Sequence, residues 1–195
     1  MERIVTREHL PLDERSIIAL TRRWIEKAVI GLNLCPFARP IFCNDLIRYC
    51  VSAAQSTDAL RVELVSELNT LRAVDPSAVE TTLLIHPRVL GDFAEYNAFL
   101  DEADAAVAEL GLTGVLQVAS FHPRYQFSGT DPDDIENYTN RSPYPMLHLL
   151  RESSIERAVA AMSDPAEIYE RNIETMRRLR HAGWRRLWSG EGGDN

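Results

Sequence analysis

The sequence predicts an α/β fold: a single domain with a mixed, mostly parallel sheet of three to four strands and helices on both faces. Three observations carry this. Segments of helical period alternate with short apolar runs along most of the chain. One run, Thr81–Ile85, is almost wholly apolar and partly β-branched, the pattern of a strand covered on both faces. Helical segments separate the three best strand-like runs, as parallel strands require for their crossovers. At 195 residues and 45% hydrophobic content, the chain can bury one substantial core. We expect an N-terminal extension over residues 1–12, a globular domain over 13–188 and a flexible glycine-rich tail over 189–195.

In chain order, Asp13 can cap a helix over residues 14–32, with Ile17, Leu20, Trp24 and Ala28 on one stripe and Ile18, Ile25, Val29 and Leu32 widening it. Pro36 and Pro40 end that helix. Residues 46–52 read as a strand, and Thr57 opens a helix with Leu60, Leu64, Leu68 and Leu71 in step. Asp75-Pro76 closes it, and the strand Thr81–Ile85 then ends in His86-Pro87-Arg88. From Asp92 to Leu110 the helical spacing returns through Phe93, Tyr96, Leu100, Ala103 and Val107, with Gly111 placed as a C-terminal cap. Residues 114–121 form the next strand, again ending in His-Pro-Arg.

A loop over residues 124–145 follows, with no period but rich in Asn, Asp, Arg, Tyr and Pro. A loop of that length in a compact domain points to function, and its aromatics argue against disorder. Residues 146–152 read as a fourth strand, and Ser153 with Glu156 makes a capping box for a helix. Asp164-Pro165 opens the last helix, with Tyr169, Ile173, Met176, Arg180, Gly183 and Leu187 as its inward face.

Charge and cysteine usage exclude several functions. A formal net charge of −8 argues against a nucleic-acid backbone as partner. No apolar run reaches the about 18 residues of a membrane span, and the first 13 residues lack a signal-peptide core, which predicts a cytoplasmic protein. Cys35, Cys43 and Cys50 are odd in number and unlike zinc or redox spacings, so they read as free thiols. Haem ligation through the Cys35-Pro36 pair is considered but not favoured. The acidic turn Asp131, Asp133, Asp134, Glu136 lacks the glycine and terminal glutamate of a calcium loop.

The candidate site follows from topology. His86 and His122 lie 36 residues apart, each just past a strand's carboxyl end. A strand-helix-strand unit would bring both to one sheet edge, where ligands of open α/β sheets bind. His148 and Glu152, four apart, add an imidazole and a carboxylate pointing the same way. His86, His122 and His148 are therefore expected to meet around His122 and to suit a divalent zinc, iron or manganese ion, or to serve with Glu152 as general acid and base. Arg124, Asn140, Arg141 and Tyr144 are expected to hold a small polar or anionic metabolite. Arg151 points opposite to His148 on a strand, so a structural ion pair is expected there. The resulting expectation is a small-molecule enzyme, with a non-catalytic binding or regulatory module for an anionic ligand as the alternative.

The residues also resemble a known family. Residues 24–40 (Trp-Ile-Glu-Lys-Ala-Val-Ile-Gly-Leu-Asn-Leu-Cys-Pro-Phe-Ala-Arg-Pro), Thr81 through Pro87, the runs 117–125 and 139–145, and Leu147-His148-Leu149-Leu150-Arg151-Glu152 resemble a bacterial family known only as domain of unknown function 1415 (DUF1415). The resemblance implies a bacterial cytoplasmic protein and brings no activity or site residues with it.

Overall fold

The computed structural model describes residues 13–160 and 166–189. The anticipated N-terminal extension, the Asp164-Pro165 helix start and all but the first residue of the glycine-rich tail lie outside these residues.

Four strands form one sheet: β1 (Ile47–Val51), β2 (Thr81–Ile85), β3 (Leu116–Phe121) and β4 (Met146–Arg151), in the order β1-β2-β4-β3. β1 and β2 pair in parallel, while β4 lies between β2 and β3 and runs antiparallel to both. The sheet is thus mixed and not mostly parallel. β1, β2 and β3 still point the same way, so the carboxyl ends of β2 and β3 share an edge, with one strand between them.

Helices α3 (Thr57–Ala73) and α4 (Phe93–Glu109) cover one face, and α1 (Glu14–Trp24) covers the other. Leu60, Leu64, Leu68 and Leu71 of α3 are all fully buried against Leu84, Leu116, Leu147 and Leu149. On the opposite face Ile17 and Trp24 pack with Leu83, Ile85 and Met146. Each strand therefore sends alternate residues into two separate cores, as its period of two dictates.

Caps account for the helix starts. The Asp13 carboxylate accepts the Ser16 N–H at 2.9 Å, and Asp92 accepts Ala94 N–H at 2.9 Å. At α3, which opens at Thr57 as expected, the cap is Ser56, whose Oγ accepts Ala59 N–H. The first helix departs from expectation. After Trp24 it widens into a π-helical segment, Ile25–Ile30, where Gly31 N–H reaches Glu26 O at 2.9 Å. The prolines read as its stop stand around a further helix, α2 (Ala38–Cys43), whose Pro40 sits in the first turn where no backbone donor is missed.

After β4 come α5 (Glu152–Ala160) and α6 (Ala166–Trp188). In α6 the residue Arg180 takes φ 57° and ψ 170°, which breaks the helix in two. This overturns its place on a continuous inward face: Met176 and Gly183 are buried, whereas Arg180 is exposed and Tyr169 is 56% exposed.

The loop 124–145 is packed against α6. Arg177 pairs with Glu136 at 3.0 Å, His181 Nε2 donates to Asp133 O at 2.9 Å, and Tyr138 meets the Trp184 ring edge-on. Among the described residues no helix is long and apolar enough to cross a membrane.

Candidate functional site

The carboxyl edge is knotted by Tyr96 of α4. Its hydroxyl donates to Met146 O at 2.9 Å and accepts Phe121 N–H at 3.0 Å, tying β4 to β3. His86 and His122 lie against this ring, with centroids 5.8 and 5.0 Å away. The shared edge expected for these two histidines is therefore present.

Their nitrogens have different fates. His122 is fully buried; its Nε2 donates to Leu90 O at 3.2 Å and its Nδ1 accepts Arg124 N–H at 3.0 Å. Both nitrogens hold backbone, the position of a histidine that pins loops. His86 Nδ1 donates to Val89 O at 3.1 Å, while its buried Nε2 meets no partner among the described residues. Burial pulls the His86 pKa down to about 4, so the ring is neutral near pH 7.

His148 does not join them. In the sheet register it stands opposite Leu83 on one side and Ala119 on the other, both facing α1. His86 and His122 continue the opposite parity, toward α4. The sheet itself separates His148 from the other two rings, so the expected convergence of three imidazoles is not found. Glu152 lies farther off, at the other end of β4, where its N–H meets Val115 O. Among the described residues no group of three or more His, Cys, Asp or Glu side chains could hold a metal ion. Of the three histidines read as zinc, iron or manganese ligands, only His86 Nε2 and one nitrogen of His148 are not already bonded to protein, and they lie on opposite faces.

The polar loop residues are occupied in holding the loop. Arg141 donates to Tyr125 O at 3.2 Å and to Pro132 O, and lies 4.1 Å over the Tyr138 ring. Asn140 donates to Ser120 O, and Arg124 to Gly91 O and Asp92. Asn137 is fully buried, its amide accepting from Phe127 N–H and Thr130 Oγ1 and donating to Asp131 O. Tyr144 is buried in the α1 core, and burial pushes its pKa up to about 12. Arg151 does face away from His148, but its partners are carbonyls: it donates to Leu71 and Val74 O at the end of α3 and to Val79 O just before β2.

A different site stands on the α1 face. A cavity of about 280 Å³ opens between the sheet, the π-helical segment, the turn into α2 and the start of α5. Its walls include Trp24, Ile25, Val29, Leu83, Ala119 and Phe121, and its polar groups among the described residues belong to His148, Thr81, Cys35, Ser154 and the Trp24 indole N–H. The π-helical widening positions Ile25 and Val29 on this wall, a setting in which such bulges recur at functional sites. His148 is half-buried and lines the cavity, and burial pulls its pKa down to about 4. Burial also raises the Cys35 thiol, keeping it protonated. Because about 150 Å³ holds a benzene, this cavity holds roughly eleven non-hydrogen atoms. A porphyrin is several times larger than this volume.

Of these wall residues, sequence reasoning singled out His148 and Cys35 for other roles and missed Thr81, Ala119 and Ile25 as site residues. The available signal was the widened apolar stripe of the first helix, which exceeds what one packed face needs. A family model described as protein of unknown function (DUF1415) matches residues 16–186. No curated protein and no solved structure matches the chain.

Proposed function

Starting from the fact that the chain belongs to the DUF1415 family, we propose that it binds a small, neutral, largely apolar molecule in the cavity between α1 and the sheet. The observation that carries this is the cavity: about 280 Å³, walled by apolar side chains and the neutral imidazole of His148. Apolar surface of this kind favours an apolar guest, and an anion would lose its hydration there without a countercharge. Arg124 and Arg141, expected to hold an anion, are not among the lining residues. This reading is a binding protein first. A ring with its pKa near 4 is a weak base at pH 7, so any acid–base chemistry on the guest would start from His148 at a disadvantage.

The test is a panel of neutral apolar compounds of eight to twelve non-hydrogen atoms, about the size that the cavity volume sets, screened by ligand-observed NMR and titrated by calorimetry. Saturable one-to-one binding of at least one compound is expected. Ala119→Phe, which extends a side chain into the cavity from an edge strand, should abolish it. No binding across the panel, or binding unchanged in folded Ala119→Phe protein, overturns the proposal.

A second reading keeps chemistry at the carboxyl edge, because His86 Nε2 is buried without a partner among the described residues. A buried acceptor left open costs about 1–3 kcal/mol, which a small polar ligand or an ion placed there would recover. Titration of zinc, manganese and iron(II) into wild-type and His86→Phe protein tests it; binding lost in the variant supports this reading, and no binding to wild type removes it.

A further inference from the structure

The floor of the cavity takes residues from all four strands, from Ile47 on β1 to Ala119 and Phe121 on β3. These two ends do not face each other. Ile47 pairs with Thr81 at the start of β2, whereas Phe121 stands in the row of Met146 and Ile85, four residues farther along. The floor therefore runs obliquely over the sheet. With strands about 4.8 Å apart and about 3.3 Å per residue, the line from Ile47 to Phe121 is about 14 Å across the strands, about 13 Å along them and roughly 19 Å in all.

A contact distance of about 4 Å at each end leaves roughly 11 Å between the end atoms of a guest. A staggered chain with carbon–carbon bonds of about 1.5 Å advances about 1.25 Å per carbon, so about ten carbons fill that length. The volume of about 280 Å³ independently allows roughly eleven non-hydrogen atoms. Length and volume thus give nearly the same number, which leaves room for one chain in single file and none for side branches. A compact body of the same volume would be only about 8 Å across, less than two strand spacings.

The surface along this path is almost wholly apolar. Thr81 Oγ1 donates to Leu149 O at 2.6 Å and Ser154 Oγ donates to Glu80, so neither hydroxyl hydrogen is offered to a guest. A polar group placed inside would give up its water without replacement. The cavity is also open to solvent along part of its boundary, so a polar end can remain in water. Resting on the cavity reading above, we propose that the guest is a linear, unbranched alkyl chain of about ten carbons that crosses all four strands with its polar end outside.

The test is calorimetry with straight-chain 1-alkanols of about six to fourteen carbons, in which Kd should fall about fourfold per added carbon up to about ten and then level off. Levelling at about six or seven carbons indicates a compact cavity, and a fall that continues without a break indicates unspecific partition; either overturns the proposal. 1-Decanol should also bind at least about tenfold more tightly than its branched isomer 3,7-dimethyl-1-octanol, because the isomer overpacks a single-file path. Equal affinities overturn the proposal. The wild-type measurements need no variant; Ile47→Trp, which fills the β1 end, should move the break about two carbons lower, and a folded variant with an unchanged break counts against the oblique path as well. Binding of compact apolar compounds without any alkanol overturns the chain while leaving the cavity reading intact. No binding of either kind fails the cavity reading itself.

Discussion

At the scale of single residues, His86 combines complete burial with an open acceptor, and this makes it a source of acid sensitivity. Its pKa is held at about 4 in the fold, against an ordinary value of 6.5. A base whose folded pKa is depressed is protonated more readily in the unfolded chain, so between these values the unfolded state binds more protons. Its contribution is intact above pH 6.5 and erodes as the pH falls toward 4, by about 3 kcal/mol in full. His148 acts in the same direction over the same window. Urea unfolding at pH 7.5 and 4.5 should show a clear loss in the wild type and a smaller one in His86→Phe. Equal losses in both proteins would mean that His86 does not titrate in this window. Part of this was legible in the sequence: the repeated His-Pro-Arg endings correctly brought His86 and His122 to one edge. What could not be read was the partner of each nitrogen, since a histidine bound to Leu90 O and Arg124 N–H is spelled no differently from one that binds a ligand.

At the scale of elements, the runs of apolar and β-branched residues were enough to locate all four strands, because period and burial are written in the side chains. Strand order is not. β4 enters between β2 and β3 as an antiparallel strand, a pairing that no local pattern spells out. The π-helical segment was equally hidden, since Ile25, Val29 and Leu32 continue a helical stripe whether the turn is normal or widened. The structure does show what lets the end of the widened turn pack so closely. A Cβ on Gly31 would stand 2.3 Å from Lys27 O and 3.2 Å from Glu26 O, both backbone atoms that cannot swing aside. Gly31→Ala must therefore push the turn apart. We expect a loss of about 1–3 kcal/mol in chemical denaturation. Guest affinity should also fall, because Ile25 and Val29 on the cavity wall belong to the same turn. A variant matching the wild type in both measurements would show that Gly31 is not what shapes this wall.

At the scale of the whole molecule, one thin sheet divides the chemistry that the sequence had joined. A period of two sends His122 toward α4 and Ala119 toward α1, although they are only three residues apart around the end of β3. The two faces have separate cores, so a change on one should reach the other only weakly. His122→Ala removes two hydrogen bonds from the carboxyl edge and leaves a hole beside Tyr96 and Phe93. It should cost about 2–4 kcal/mol of stability while leaving the Kd for an apolar guest within about twofold. Ala119→Phe should do the reverse, abolishing the guest with a smaller change in stability. The double variant should then show stability losses that add to within about 0.5 kcal/mol, as expected for sites without shared partners. The decisive outcome is a folded His122→Ala protein that has lost its guest. That would put the binding centre back at His122, on the edge the sequence pointed to, and would rule out the cavity beneath α1 as the place where this protein meets its ligand.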